Sequence, residues 1–430
     1  MDIQVPMLSL LPQCLVVSKR GIMREYDARI ITLFTGDVKC RLSIYRLDCH
    51  SLDLNPHDPD ERVQVHLARS IAPFPIKLTP SDKIRREVII CPGRVFAFDQ
   101  WHLLITAMEL HRIHEVDLVV IYIQSIDEAV FELVKQYKLS GIVEIRPSMT
   151  MPYKLDTLDY NPNAETQWNN QVVNFQDCLY EFRESAEYIA FPDWDDLMAT
   201  PGFKPLPGVL KSLSERMPIV GSFVYARYTG AFESLTNMTR KRYTLDEFWK
   251  KGFRYTLNKE HIQYIGKVVV RPKSVIAVRF HDSVMRDDYV QYGLPIEEAF
   301  IIHGRNYYWM NLEERLHNTS MLSTNFYKFA NTTRMQTILR RLPKKDVSVN
   351  EFYHCLGYEG TSNMWGRIMN KLVRSKKSKC YSYNLCEFRT IKERRCINVN
   401  NDWKTINLSY KFIVTMLQGS KFEKANYCAL

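Results

Sequence analysis

From Glu87 onward the chain alternates two hydrophobic rhythms. "EVIICPG" is an apolar run of strand length. Between Trp101 and His114 the apolar residues Leu103, Leu104, Ala107, Met108 and Leu110 recur three and four apart, which predicts a helix burying that side. "VDLVVIYI" is continuously apolar, as in a strand covered on both faces. Asp127 stands where a cap belongs and predicts a helix running to Lys138. "GIVEIRP" reads as the next strand. A loop from Ser148 to Asn170 then leads into a helix over Gln171 to Ser185 and a last buried strand, "YIAF". This alternation predicts an α/β fold with a mostly parallel central sheet and helices on both faces.

The flanks read differently. Residues 1–86 hold short alternating segments, "ARIITLF", "CRLSIYRL" and "RVQVHLAR", separated by polar loops, and predict a β-rich N-terminal region. Past Pro201 the pattern loosens, with strand-like "IVGSFVYARY" and "GKVVVRPKSVIAVRF". The expected organisation is an N-terminal β-rich region (1–86), a central domain (87–330) and a C-terminal region (331–430).

Charge sharpens the last boundary. Of 58 Lys+Arg and 48 Asp+Glu, residues 331–430 carry 19 and 7, so the tail is basic and the rest nearly neutral. Runs such as "RRLPKK" and "RSKKSK" suit an anionic partner or a solvated face. A nucleic-acid binder would also need aromatics stacked among those charges, and the expected partners do not include nucleic acid. The tail's aromatics and "INLSYKFIVTML" can bury area, so it is no disordered arm.

No stretch reaches the ~18 apolar residues of a membrane-spanning helix. "MLSLLPQCLVV" lacks a basic leader and reads as a strand or turn rather than a signal peptide. Cys428 is third from the end, one position away from a prenylation motif. Ten cysteines without a C-x-x-C suit disulfides in an oxidising compartment, with connectivity open. The sequons at Asn237, Asn318, Asn331 and Asn407 point the same way.

There is no G-x-G-x-x-G and no G-x-x-x-x-G-K-[ST], so glycine backbone is not expected to cradle phosphates. The acids of "YIAFPDWDDLM" offer another route. Ligands of open α/β sheets bind beyond the carboxyl ends of the strands, where Asp193, Asp195 and Asp196 follow "YIAF". If the chain stays extended, Asp193 and Asp195 face one side and form a hard-oxygen site for Mn²⁺ or Mg²⁺. The plainer alternative is a helix N-cap after the strand. A second D-x-D, Asp58-Pro59-Asp60, sits in a Pro-rich turn with no strand before it and is set aside. His111 and His114, spaced i, i+3 on one helix, could bind a metal, but no Glu stands between them and nothing nearby completes a tetrahedron. Exposed, solvated histidines are therefore the expected reading.

"WNNQVVNFQDCLYEFRESAEYIAFPDWDD" resembles the core signature of glycosyltransferase family 92, the former DUF23 group. Its N-Q, D-C-L and D-x-D-[DE] elements correspond to Asn170-Gln171, Asp177-Cys178-Leu179 and Asp193-Trp194-Asp195-Asp196. Upstream, "CPGRVFAFDQWHLLITAMELHRIHEVDLVVIYIQS" and "YKLSGIVEI" are similar to the family's opening blocks, with Glu109 and His111 at matching places. Downstream, "GKVVVRPKSVIAVRFH" and "IIHGRN" resemble its G-K and H-x-[RK] segments and place His281, His303 and Arg305. Glu115 stands where the family usually has Gly, and Pro192 precedes the acids.

The resemblance implies a GT-A-like nucleotide-sugar-binding fold and a metal-dependent inverting transfer of a sugar, galactose first, from a UDP-sugar donor to a glycan or glycoprotein acceptor. It implies Asp195 as metal ligand, Asp193 as ribose or metal contact, and His303, with His281 second, as the histidine ligand. Gln171, Asp177 and Arg305 join Asp193 as candidate nucleotide-sugar contacts. Asp282 and Asp196 are the candidates for the base that deprotonates the acceptor. The family implies Golgi localisation, at the membrane or in the lumen, through an N-terminal anchor that no apolar stretch here supplies. A catalytically inactive glycan-binding or scaffold member is the alternative.

Overall fold

A computed structural model describes residues 12–17, 21, 23–33, 40–49, 62–67, 74–76, 79–152, 158–232, 255–303, 320–344, 380, 394–409 and 412–429. Five N-terminal strands, β1 (Pro12–Val17), β2 (Met23–Thr32), β3 (Tyr45–Cys49), β4 (Arg62–Leu67) and β5 (Phe74–Ile76), form an antiparallel sheet in the order β3-β2-β1-β4-β5. The period-two exposure along β2 is that of a sheet with one wet face. A Cys14–Cys49 disulfide ties β1 to β3.

The predicted alternation follows. β6 (Arg86–Ile90), α1 (Trp101–Ile113), β7 (Leu118–Ile123), β8 (Ser125–Asp127), α2 (Glu128–Leu139), β9 (Val143–Pro147), α3 (Gln171–Glu181) and β10 (Ala186–Ala190) succeed one another. Asp127 caps α2 by accepting from the backbone N–H of Ala129 at 2.9 Å and of Val130 at 3.3 Å. α3 stops four residues short of the predicted Ser185. Beyond it come β11 (Asp196–Ala199), α4 (Leu206–Arg216), β12 (Val220–Phe232), β13 (Tyr255–Val270), β14 (Val275–Val278), β15 (Ser283–Met285), β16 (Val290–Gly293) and β17 (Phe300–His303). The chain continues through α5 (Ser320–Ala330), α6 (Thr333–Arg341), β18 (Cys396–Ser409) and β19 (Phe412–Ala425).

The central nine-stranded sheet has the order β11-β17-β12-β13-β10-β6-β7-β9, with β16 beside β12. β10, β6, β7 and β9 are mutually parallel, while β13 is antiparallel to both β10 and β12. The fold is mixed α/β with a mostly parallel sheet. One face packs α1, α2, α4, α5 and α6 into the larger core; the other packs α3, β14 and Ile31, Leu33 and Ile44 of the N-terminal region.

α1 is buried on every side from Trp101 to His111, more than its predicted stripe. The sheet covers one side and α5 another, and Trp101 Nε1 donates to Pro343 O at 2.8 Å. Thus His111 and His114, expected at the surface, are 3% and 0% exposed. Burial lowers His111 to about 3 and His114 to about 4.

The basic tail contributes structure. β18 pairs with β19 and with β8, and Cys396–Cys428 closes the hairpin. Cys40–Cys380 links the N-terminal region to the tail, and Cys91–Cys178 links the end of β6 to α3. Among the described residues no helix is long and apolar enough to cross a membrane. Asp58, Asp60, Asn237, Asn318, Arg305 and "RSKKSK" lie outside the described residues, whereas Asn331 is exposed between α5 and α6.

Candidate functional site

β6 has β7 on one side and β10 on the other, so the chain reverses its direction of travel across the sheet at this point. Crevices at such reversals, beyond the strand carboxyl ends, are where α/β sheets bind ligands. Gly93, just past β6, donates its N–H to Pro192 O at 2.8 Å. A Cβ there would lie 2.7 Å from Gln171 Nε2 and 2.9 Å from Asp193 Oδ1, so glycine lets the two loops close on each other. Gln171, the first residue of α3, donates from Nε2 to Asp193 Oδ1 at 3.0 Å.

The extended geometry does not persist past β10. Residues 191–193 are irregular, Trp194 and Asp195 form a turn, and β11 starts at Asp196 without any helix. The N–H of Asp196 donates to Asp193 O at 3.0 Å, closing that turn. The three acids therefore face different partners, and the expected period-two pairing of Asp193 with Asp195 is replaced. Asp195 Oδ2 lies 4.0 Å from His303 Nε2. Asp196 sits opposite His303 in the β11–β17 ladder, and its Oδ1 is 2.7 Å from His303 Nδ1.

Two cations from the neighbouring strands enter this turn. β13 pairs Val269 with Ala190, which carries Lys267 two residues, roughly 7 Å, beyond the end of β10. The Lys267 ammonium, 1% exposed, lies 2.7 Å from Asp193 Oδ2 and 3.9 Å from Asp196 Oδ2, and donates to Phe280 O at 3.1 Å. From β12, Arg227 Nη2 lies 2.5 Å from Asp196 Oδ2 and 3.9 Å from Asp193 Oδ2. A register shift between Tyr225 and Arg227 aims these side chains. It depends on Gly266, where a Cβ would stand 1.4 Å from Tyr225 O.

Burial alone would raise both acids. For Asp193, burial is the largest influence and the Asp195 charge adds to it. The charge and hydrogen bond of Lys267 and the charge of Arg227 together outweigh them, and the carboxyl is held below its usual range. For Asp196, His303, Arg227 and Lys267 together hold it at about 2. An ionised Asp196 accepts only, so the proton on this side of His303 belongs to Nδ1. That turns Nε2 toward Asp195, where a neutral ring would present its lone pair. Asp195, Asp196 and His303 present ligand atoms all within 4.8 Å of one another, a group able to hold a metal ion.

The family model described as Glycosyltransferase family 92 matches residues 86–343, more than half of the chain. The chain belongs to glycosyltransferase family 92. Among curated relatives in Caenorhabditis elegans, Glycosyltransferase family 92 protein F59C6.8 is 24% identical over 404 residues, 86% of this chain and 74% of that protein. Glycosyltransferase family 92 protein ZK381.2 is 30% identical over 200 residues, 46% of this chain and 38% of that protein. Of the solved structures, HddC from Yersinia pseudotuberculosis covers 51% of this chain and 93% of its own at 11% identity, with a TM-score of 0.25. The WbbM bifunctional glycosyltransferase covers 49% and 35% at 12% identity, with a TM-score of 0.23. Scores that low carry no argument about the fold.

The remaining candidates of this family 92 chain lie around the turn or away from it. His281 is outside the metal-capable group; its Nδ1 lies 2.9 Å from Gly266 O, on the bulge that aims Lys267. Asp282 is half-exposed, 3.6 Å from Arg279, and its Oδ1 has no hydrogen-bond partner among the described residues. Asp177 lies six residues along α3 from Gln171, about 9 Å in helical rise, and accepts from Tyr122 Oη at 2.7 Å. His111 and His114 join no metal-capable group among the described residues. Glu109, matched to the family, is buried with Arg112 and Tyr137 as partners. Sequence reasoning missed Gly93, Arg227 and Lys267. The G-K of "GKVVVRP" was the available signal for Lys267, since a glycine before an inward-pointing charge marks a bulge.

Proposed function

We propose that this glycosyltransferase is a GT-A-like, metal-dependent inverting enzyme. It moves a sugar, galactose by family resemblance, from a UDP-sugar to a glycan or glycoprotein acceptor in the Golgi. The observation that carries the reading is the imidazole of His303, fixed by Asp196 so that Nε2 faces Asp195. Carboxylate oxygen suits Mn²⁺ or Mg²⁺, the imidazole nitrogen favours Mn²⁺ of the two, and a carboxylate behind a ligating histidine is the usual support of such a site. Bound there, the ion supplies Lewis-acid stabilisation of the departing diphosphate.

The chain's own residues do the rest. Asp196 has both oxygens engaged and its side chain fully covered, which favours a positioning role over that of base. Asp193, gripped by Gln171 and Lys267, is held as a fixed acceptor for the donor's ribose hydroxyls. Gly93 lets Gln171 and Asp193 close over the end of β6 in the position that faces the donor. Asp282, whose side chain is half-exposed and which lies two residues beyond the Phe280 carbonyl that accepts from Lys267, is the better candidate to take the acceptor's proton. Four disulfides among the described residues support maturation in an oxidising lumen.

UDP release measured across a panel of UDP-sugars, with glycan acceptors and with Mn²⁺ or a chelator, tests this. The expected result is release from UDP-galactose that the chelator abolishes. Release untouched by chelation overturns the metal assignment. Donor binding without release from any donor identifies an inactive glycan-binding member instead.

A further inference from the structure

The acid turn is not a bare anionic site. Asp193 receives Lys267 on one oxygen and Gln171 on the other. Asp196 receives Arg227 on one oxygen and His303 on the other. Each cation also stands 3.9 Å from its neighbour's carboxylate, so the four charges form one square rather than two separate pairs. Lys267 is 1% exposed and the Asp196 side chain fully covered, whereas the Asp193 side chain is 34% exposed. Solvent therefore screens the square poorly on its Asp196 side and reaches it at Asp193. Within it the charges cancel.

A divalent cation arriving alone at Asp195 and His303 meets this neutralised wall and two nearby positive charges. An ion that arrives on a diphosphate brings its own counter-charge, and the same two cations then face an anion. Arg227 has capacity to spare, since its Nε–H has no hydrogen-bond partner among the described residues. We propose that Lys267 and Arg227 are positioning residues that make the acid turn selective for a divalent cation already carried by a nucleoside diphosphate, against the same cation bare. The inference rests on the metal and nucleotide-sugar reading given above, and adds to it a binding order and the residues that impose it.

The test is direct Mn²⁺ titration, following free Mn²⁺ by electron paramagnetic resonance, on the whole protein with and without UDP and with no acceptor present. Wild type is expected to bind Mn²⁺ at least about tenfold more tightly with UDP than without it, beyond what Mn²⁺–UDP association in solution accounts for. Lys267→Met should bind bare Mn²⁺ about tenfold more tightly than wild type, because Asp193 becomes an available anion, while its coupling to UDP shrinks. Lys267→Arg should restore the wild-type pattern in part. A merely structural lysine would weaken Mn²⁺ binding in both states. Should Lys267→Met fail to fold by circular dichroism, Arg227→Gln carries the same expectation through Asp196.

Equal Mn²⁺ affinity with and without UDP in wild type overturns the inference and leaves the metal site standing. So does a folded Lys267→Met or Arg227→Gln that binds bare Mn²⁺ no more tightly. Absence of any Mn²⁺ binding to wild type in either state overturns this inference and the metal reading together.

Discussion

In the parallel half of the central sheet, β10, β6 and β7 end on one side of the molecule and deliver Gly93 and the start of the acid turn. In the mixed half, β11, β17, β12 and β13 deliver Asp196, His303, Arg227 and Lys267 to the same place. The first half supplies shape and the second supplies charge. Two loops can close tightly on each other where glycine follows a parallel strand. The fixed cations come instead from the long strands β12 and β13, whose register, set by a bulge, carries side chains past the end of β10.

Two glycines probe this division most strongly. Gly266→Ala puts a Cβ onto a backbone carbonyl that cannot rotate away, and should cost more than about 3 kcal/mol or prevent folding. Gly93→Ala meets only the ends of the Gln171 and Asp193 side chains, which can shift. It should fold normally and lose donor affinity. Denaturant midpoints and the donor KM read the pair. Equal stability losses would dissolve the distinction between the halves.

The histidines give the next effect. His303→Ala should raise the Mn²⁺ concentration for half-activity at least about tenfold, with partial recovery at high metal. His281→Ala, whose ring braces the Gly266 bulge, should lower activity with little change in metal dependence. The reverse outcome, measured in metal titrations of turnover, would move the ligand from β17 to the segment after β14.

The smallest effect belongs to the parallel half alone. Glu115, between α1 and β7, has a φ of 56°, a left-handed conformation in which the side chain is strained. This explains why the resemblance noted glycine at that place. Glu115→Gly should stabilise the protein by up to about 1 kcal/mol and leave turnover unchanged, read as a shift in the denaturant midpoint.

The same division explains what could be read from the residues. Strands β6, β7 and β10 are legible because a strand covered on both faces is a continuous apolar run, and Asp127 announces α2. The acids were legible as a motif. Their partners were not, because a lone Lys267 or Arg227 in a strand looks like a solvated charge, and only the cross-strand register brings it inward. α4 escaped because Pro205, Pro207 and Gly208 obscure its periodicity. His111 and His114 look like surface residues in the sequence because nothing on α1 itself reveals that α5 and the chain at Pro343 cover its outer side. The turn at Trp194 and Asp195 breaks the period-two rule, so the roles of the three acids follow from their partners and not from their spacing.

Turnover of a UDP-sugar with Mn²⁺ by wild type and by Asp195→Asn tests the central claim most directly. The substitution keeps the size of the side chain and removes the charge that faces His303 Nε2. The fold should survive, because the square of Asp193, Asp196, Lys267 and Arg227 is untouched. Mn²⁺-dependent turnover should fall by at least about a hundredfold, the upper end of what a damaged ligand shell costs. Equal turnover in a folded Asp195→Asn would contradict the account.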